Sequence, residues 1–175
     1  MTGAAIGDRA QPTAPRGQAP SGPVLLAYDG SRDAAAAIAT AGRLLGPRQA
    51  VVITAWAPAA SWVPYDPVTV LAAPVERLLA HAAGIDDSLR DIAQDTLARG
   101  VKIARAAGFD AKGRLERGRP SQVICDAAED LGADPIVVGA RGAGRIESAL
   151  LGSVSASVVV HAKRPVLVVP RHPVV

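Results

Sequence analysis

The chain reads as one α/β domain, an open five-stranded parallel sheet with helices on both faces. Two observations point there. Short apolar runs alternate with stretches of helical periodicity along the whole chain. The run Val24-Leu25-Leu26-Ala27-Tyr28 is continuously apolar, as a strand buried on both faces should be. Right-handed crossovers limit the topology, and the expected strand order is 3-2-1-4-5. Strands 1 and 4 then meet at the switch point, where open α/β sheets bind ligands beyond the strands' carboxyl ends.

The length of 175 residues suits a single domain, and 49% apolar with 20% charged residues suits a soluble one. No apolar run approaches the roughly 20 residues of a membrane span. The N-terminus lacks the apolar core of a signal peptide. One cysteine, Cys125, excludes an internal disulfide and fits a reducing cytoplasm, the expected location. A net charge of +3 with only two Trp, two Tyr and one Phe offers little to nucleic acid. Neither a nucleic acid nor a membrane is expected as a partner.

Residues 1–22 are mostly Ala, Gly, Pro, Gln and Thr. Such a segment buries too little apolar area to offset its ordering entropy, so a disordered tail is expected, with the domain over 23–171. After the first strand, Asp29-Gly30-Ser31 leads into a helix. Ser31 is a good N-cap and Asp33 suits the first turn. Gly46-Pro47 stops that helix after Leu45. Asp29 has two readings: it ties down the turn, or it faces the ligand crevice. Ala50–Trp56 is the second strand, rich in β-branched residues.

Ala57–Pro74 is a loop with four prolines, Trp62 and Tyr65. Its length marks it as functional or disordered. The aromatics either fold over a ligand or pack on the surface. Apolar residues from Val75 through Leu78, Leu89, Ile92, Ala93, Leu97 and Ile103 to Ala107 then recur at helical spacing. Gly84 with Asp86-Asp87-Ser88 can split this helix in two, and Gly108 ends it. Phe109–Arg117 alternates apolar and charged residues, as an edge strand does. Gly118-Arg119-Pro120-Ser121 opens a helix that buries Val123, Ile124, Ala127, Ala128 and Leu131. Cys125 reads as a small packed residue with no activating neighbour. Pro135–Gly139 is the fourth strand, and Gly152-Ser153 starts the last helix, ending near Ala162. Val166–Val169 is the fifth strand and the other edge.

The stretch between the fourth strand and the last helix carries the chemistry. Gly139 and Gly142 stand three apart, and after nine intervening residues come Gly152 and Ser153. Glycine permits sharp turns and close approach of a ligand to the backbone, and a helix start favours anions. Ser153 can cap the helix or give its hydroxyl to a phosphate. A lone glycine pair after a strand usually makes only a tight turn; the wider spacing argues for more.

That spacing, Gly139-x2-Gly142-x9-Gly152-Ser153, resembles the ATP-binding signature of the universal stress protein family. Asp134–Gly139, Gly152-Ser153-Val154-Ser155 and His161–Val169 follow the family's wording, and Tyr28-Asp29-Gly30-Ser31 is similar to its first-strand motif. Arg164, Ala140 and Pro135 depart from common residues without removing a glycine or the serine. The resemblance implies a Rossmann-like fold of the adenine nucleotide alpha hydrolase type, with ATP and Mg²⁺ as ligands. Gly139, Gly142, Gly152 and Ser153 would hold the phosphates, with the Val154 N–H and the Ser155 hydroxyl extending the cradle. Ser31 would belong to the site. Asp29 would lie by the ribose or the Mg²⁺, and the backbone of Ala55, with neighbouring Thr54, would meet the adenine. Arg141 and Arg145 either neutralise phosphate or are solvated loop cations. The resemblance also implies a homodimer through Val166–Val169, an edge that needs a cover.

The loop is not Gly-x4-Gly-Lys-Ser/Thr, so it has no Walker lysine, and nothing in the sequence orients a water. A nucleotide-dependent regulator with little or no hydrolysis is expected rather than an enzyme. The alternatives are a nucleotide-independent dimeric interaction protein of the same fold and, more remotely, a flavin-binding electron carrier.

Overall fold

The computed structural model describes residues 22–58, 75–141 and 151–170, with only the backbone of 75–84. The chain runs β1 (Val24–Ala27), α1 (Arg32–Leu45), β2 (Gln49–Trp56), α2 (Val75–Ala106), β3 (Asp110–Arg117), α3 (Pro120–Asp130), β4 (Ile136–Gly139), α4 (Ser153–His161) and β5 (Val166–Val169). All neighbouring strands pair in parallel, in the order β3-β2-β1-β4-β5. This is the expected order, with β1 central. Leu25 is in register with Val51 on one side and Ile136 on the other.

Strand alternation divides the core into two layers. Val24, Leu26, Val52 and Val137 pack with Ala37, Ile38 and Ala41 of α1 and Ala104 of α2. Leu25, Ile53, Ile136 and Val138 pack on the other face with Val123, Ile124 and Ala127 of α3 and Val158 of α4. Leu25, Leu26, Ile38 and Ile136 are fully buried. Each such side chain stabilises the fold by about 1.5–3 kcal/mol. β1 and β4, four residues each, are flanked by strands on both edges.

Two expectations about the long helix are corrected. α2 is continuous past Gly84 and Asp86-Asp87-Ser88. One helical glycine costs about 1 kcal/mol, less than the unfavourable step of nucleating a second helix. Ile92 is 62% exposed rather than part of the core. The buried stripe runs Ala93, Thr96, Gly100 and Ala104, and Ile92 sits beside it. Gly108 ends the helix as expected, at φ +95°. β3 is an edge strand, and its exposed Lys112 and half-buried Arg114 and Glu116 keep it charged. Arg114 pairs with Glu116 at 2.6 Å and with Asp130 at 3.2 Å, which together hold its guanidinium firmly protonated.

Among the described residues no helix is long and apolar enough to cross a membrane. The N-terminal segment expected to be disordered, apart from Gly22, lies outside the described residues, as do Trp62 and Tyr65 of the proline-rich loop.

Candidate functional site

The carboxyl ends of β1 and β4 lie side by side, and the chain leaves them in opposite directions across the sheet. A cavity of about 290 Å³ opens there. Ala27, Tyr28 and Asp29 line it from β1, Ile53 and Ala55 from β2, Val138, Gly139 and Arg141 from β4. Ala34 of α1, Pro120 and Ile124 of α3, and Leu151–Ser155 at the start of α4 complete the lining.

The β1–α1 turn is built from its own side chains. Gly30 takes φ +84°, which lets the chain reverse in few residues. The Ser31 N–H donates to Asp29 Oδ1 at 2.9 Å, and the Ala34 N–H donates to Ser31 Oγ at 3.1 Å. Asp29 both ties the turn and lines the cavity. Ser31 is the N-cap of α1 and is not among the lining residues.

At the end of β4, Gly139 meets α1. A Cβ there would lie 3.0 Å from the Asp33 carbonyl carbon and 3.1 Å from the Ala34 nitrogen. The absence of a side chain thus lets the start of α1 sit against β4. The sequence suggested a ligand contact; the structure adds a packing reason for the same residue.

The start of α4 differs from expectation in three ways. Gly152, at φ −68° and ψ 158°, is the N-cap, and Ser153 is the first helical residue. The Gly152 N–H donates to the Ala140 carbonyl at 2.7 Å, so it is not a free donor for a phosphate cradle. The Ser155 hydroxyl donates to the Gly139 carbonyl at 2.6 Å and is buried. It braces the helix rather than extending the cradle as a donor. Among the described residues no side chain caps α4, so the N–H groups of its first turn, from Ser153, Val154 and Ser155, face no capping oxygen there.

Asp29, Ala55, Gly139, Arg141, Gly152, Ser153, Val154 and Ser155 are thus brought to one cavity. Gly142 and Arg145 lie outside the described residues. The Thr54 hydroxyl is buried and donates to the Tyr28 carbonyl at 2.9 Å, so it is committed to the fold. Pro120 and Ile124 were missed. The signal that could have found them is topological, because every helix following a strand in this fold starts at the carboxyl edge of the sheet. Cys125 is half-buried, and burial, with Asp126 and Glu129 adding to it, pushes its thiol up. That favours the packed reading over a reactive one. Among the described residues no group of three His, Cys, Asp or Glu side chains is arranged to hold a metal.

The family model of the universal stress protein family matches residues 21–170. A universal stress protein of Thermus aquaticus is 34% identical over 148 residues, which span 83% of this chain and 96% of that one. Against other curated relatives of the family the chain spans about half of their length. The solved structure of the hypothetical protein MJ0577 of Methanocaldococcus jannaschii has a TM-score of 0.69 at 23% identity, covering 87% of this chain and 97% of that one. A universal stress protein solved in complex with cAMP has a TM-score of 0.56 at 25% identity, covering 85% and 96%. A family match over the whole sheet, with a relative aligned almost end to end, means that the chain belongs to the universal stress protein family.

Proposed function

We propose that this chain binds an adenine nucleotide, ATP with Mg²⁺, in the β1–β4 cleft and acts as a nucleotide-dependent regulator in a stress response. The observation that carries the reading is the start of α4, which has no side-chain cap and opens on the same cavity as Asp29. First-turn N–H groups favour a polyanion at that end. Ile53, Ala55, Ile124 and Val138 form an apolar wall suited to a flat base. Asp29 offers the single carboxylate that Mg²⁺ on phosphate oxygens uses. The cAMP complex of a related structure supports a nucleotide in this fold. ATP itself, the metal and the regulatory role are our reading. Little or no hydrolysis is part of it, since the sequence has no Walker lysine.

The test is to identify by mass spectrometry any small molecule released from freshly purified protein, then to titrate the emptied protein calorimetrically with ATP and Mg²⁺. Bound adenine nucleotide and micromolar or tighter affinity are expected. No ligand and no heat would sink the nucleotide reading and leave an interaction protein.

We also propose a cytoplasmic homodimer paired through β5. That strand is an edge, and Val159 and Val160 of the preceding helix α4 are 45% and 75% exposed. Light scattering that gives a monomer at micromolar concentration would remove this proposal.

A further inference from the structure

We propose that Ser155 is a positioning residue. Together with the Gly152 amide it latches the start of α4 onto the end of β4, and so aims the first-turn N–H groups at the place where phosphate arrives. The proposal rests on the nucleotide reading above.

The latch has two bonds. The Gly152 N–H donates to Ala140 O at 2.7 Å, and Ser155 Oγ donates to Gly139 O at 2.6 Å. The two acceptors are consecutive residues of one strand end. The two donors flank the start of α4, one on its N-cap and one on its third helical residue. One bond would fix the position of the helix start and leave its direction free. Two bonds fix both. The strand end is itself held, because the Ala140 N–H donates to Val169 O at 2.8 Å in β5. The helix start is thereby referred to the sheet.

Serine suits this position for geometric reasons. Helical side chains lean toward the N-terminus, which sends the Oγ of the third helical residue back toward the strand. Ser155 is only 5% exposed, and Oγ is within ordinary reach of its acceptor. Its hydroxyl proton is engaged on Gly139, so phosphate can gain from the Ser155 hydroxyl only indirectly. The bond also gives a partner to a carbonyl at the base of the cleft.

The experiment compares the full-length protein with Ser155→Ala and Ser155→Thr. Amide exchange of Gly152 is followed by NMR without nucleotide, and calorimetry is run with ATP and with adenosine. In Ser155→Ala the Gly152 amide should exchange about tenfold faster, and ATP affinity should fall about tenfold while adenosine stays within about threefold. Ser155→Thr, which keeps the hydroxyl, should recover both readouts. Should Ser155→Ala not fold, Ser155→Cys keeps the volume with a weaker donor and should shift both readouts in the same direction. Unchanged Gly152 exchange with weakened ATP would overturn the proposal in favour of a direct phosphate contact. Equal losses for ATP and adenosine would overturn it in favour of general packing. Absence of nucleotide binding in the unmodified protein would defeat the functional reading instead, while amide exchange still reports on the latch.

Discussion

α1 and α4 both begin at the cleft, but α1 arrives with a side-chain cap and α4 does not. In α1 the Ser31 hydroxyl accepts the Ala34 N–H, and Asp29 accepts the Ser31 N–H. In α4 the N-cap is a glycine with no side chain to offer, and the two bonds at its foot point backward to β4. A helix N-terminus must find acceptors in caps, water or ligand. The difference therefore separates a helix start that closes the fold from one that leaves donors for an anion. α3 is a third case. It begins with Arg119 and no side-chain cap, but Pro120 follows and has no N–H to present.

The contrast breaks most directly at Gly152. Its φ and ψ are those of extended backbone, which any residue adopts. In Gly152→Asp a carboxylate would cap α4 and repel phosphate. ATP affinity should fall at least about tenfold, whereas stability should change by no more than a few tenths of a kcal/mol. Calorimetry beside a thermal melt checks this, and unchanged affinity would show that α4 does not receive the phosphates.

The smaller and opposite effect belongs to α1. Ser31→Ala removes a cap bond and should lower stability by about 1 kcal/mol. ATP affinity should stay within about threefold, because Ser31 does not line the cavity. A large loss of affinity at constant melting temperature would place Ser31 in the site after all.

What could be read in the sequence was what contiguous residues write. The apolar runs gave β1, β4 and β5, and Ser31, Gly46 and Gly108 marked the helix ends where they are found. Because the topology follows from alternating elements, the meeting of Asp29 with Gly139 was also legible, although they are far apart in the chain. What was hidden is partner choice. Nothing near Gly139 in sequence shows that α1 passes against it. Nothing in Gly152-Ser153-Val154-Ser155 shows that the first amide and the last hydroxyl turn back to β4 while the residues between them do not. Ile92 failed for a related reason, since a one-residue rotation separates a core face from a wet one on α2.

The glycines that seat α2 bear on how this protein can be engineered. By helix propensity, replacing a mid-helix glycine with alanine should gain about 1 kcal/mol. Here a methyl group on Gly42 would run into the Ala107 carbonyl, and one on Gly100 would come 2.6 Å from the Tyr28 ring. A thermostabilisation scheme that scored helices one residue at a time would choose both positions and push α1 and α2 off their seats. In a mutational library they are fixed points. Since Tyr28 also lines the cleft, Gly100 ties the tolerance of a distant helix to the shape of the ligand's wall.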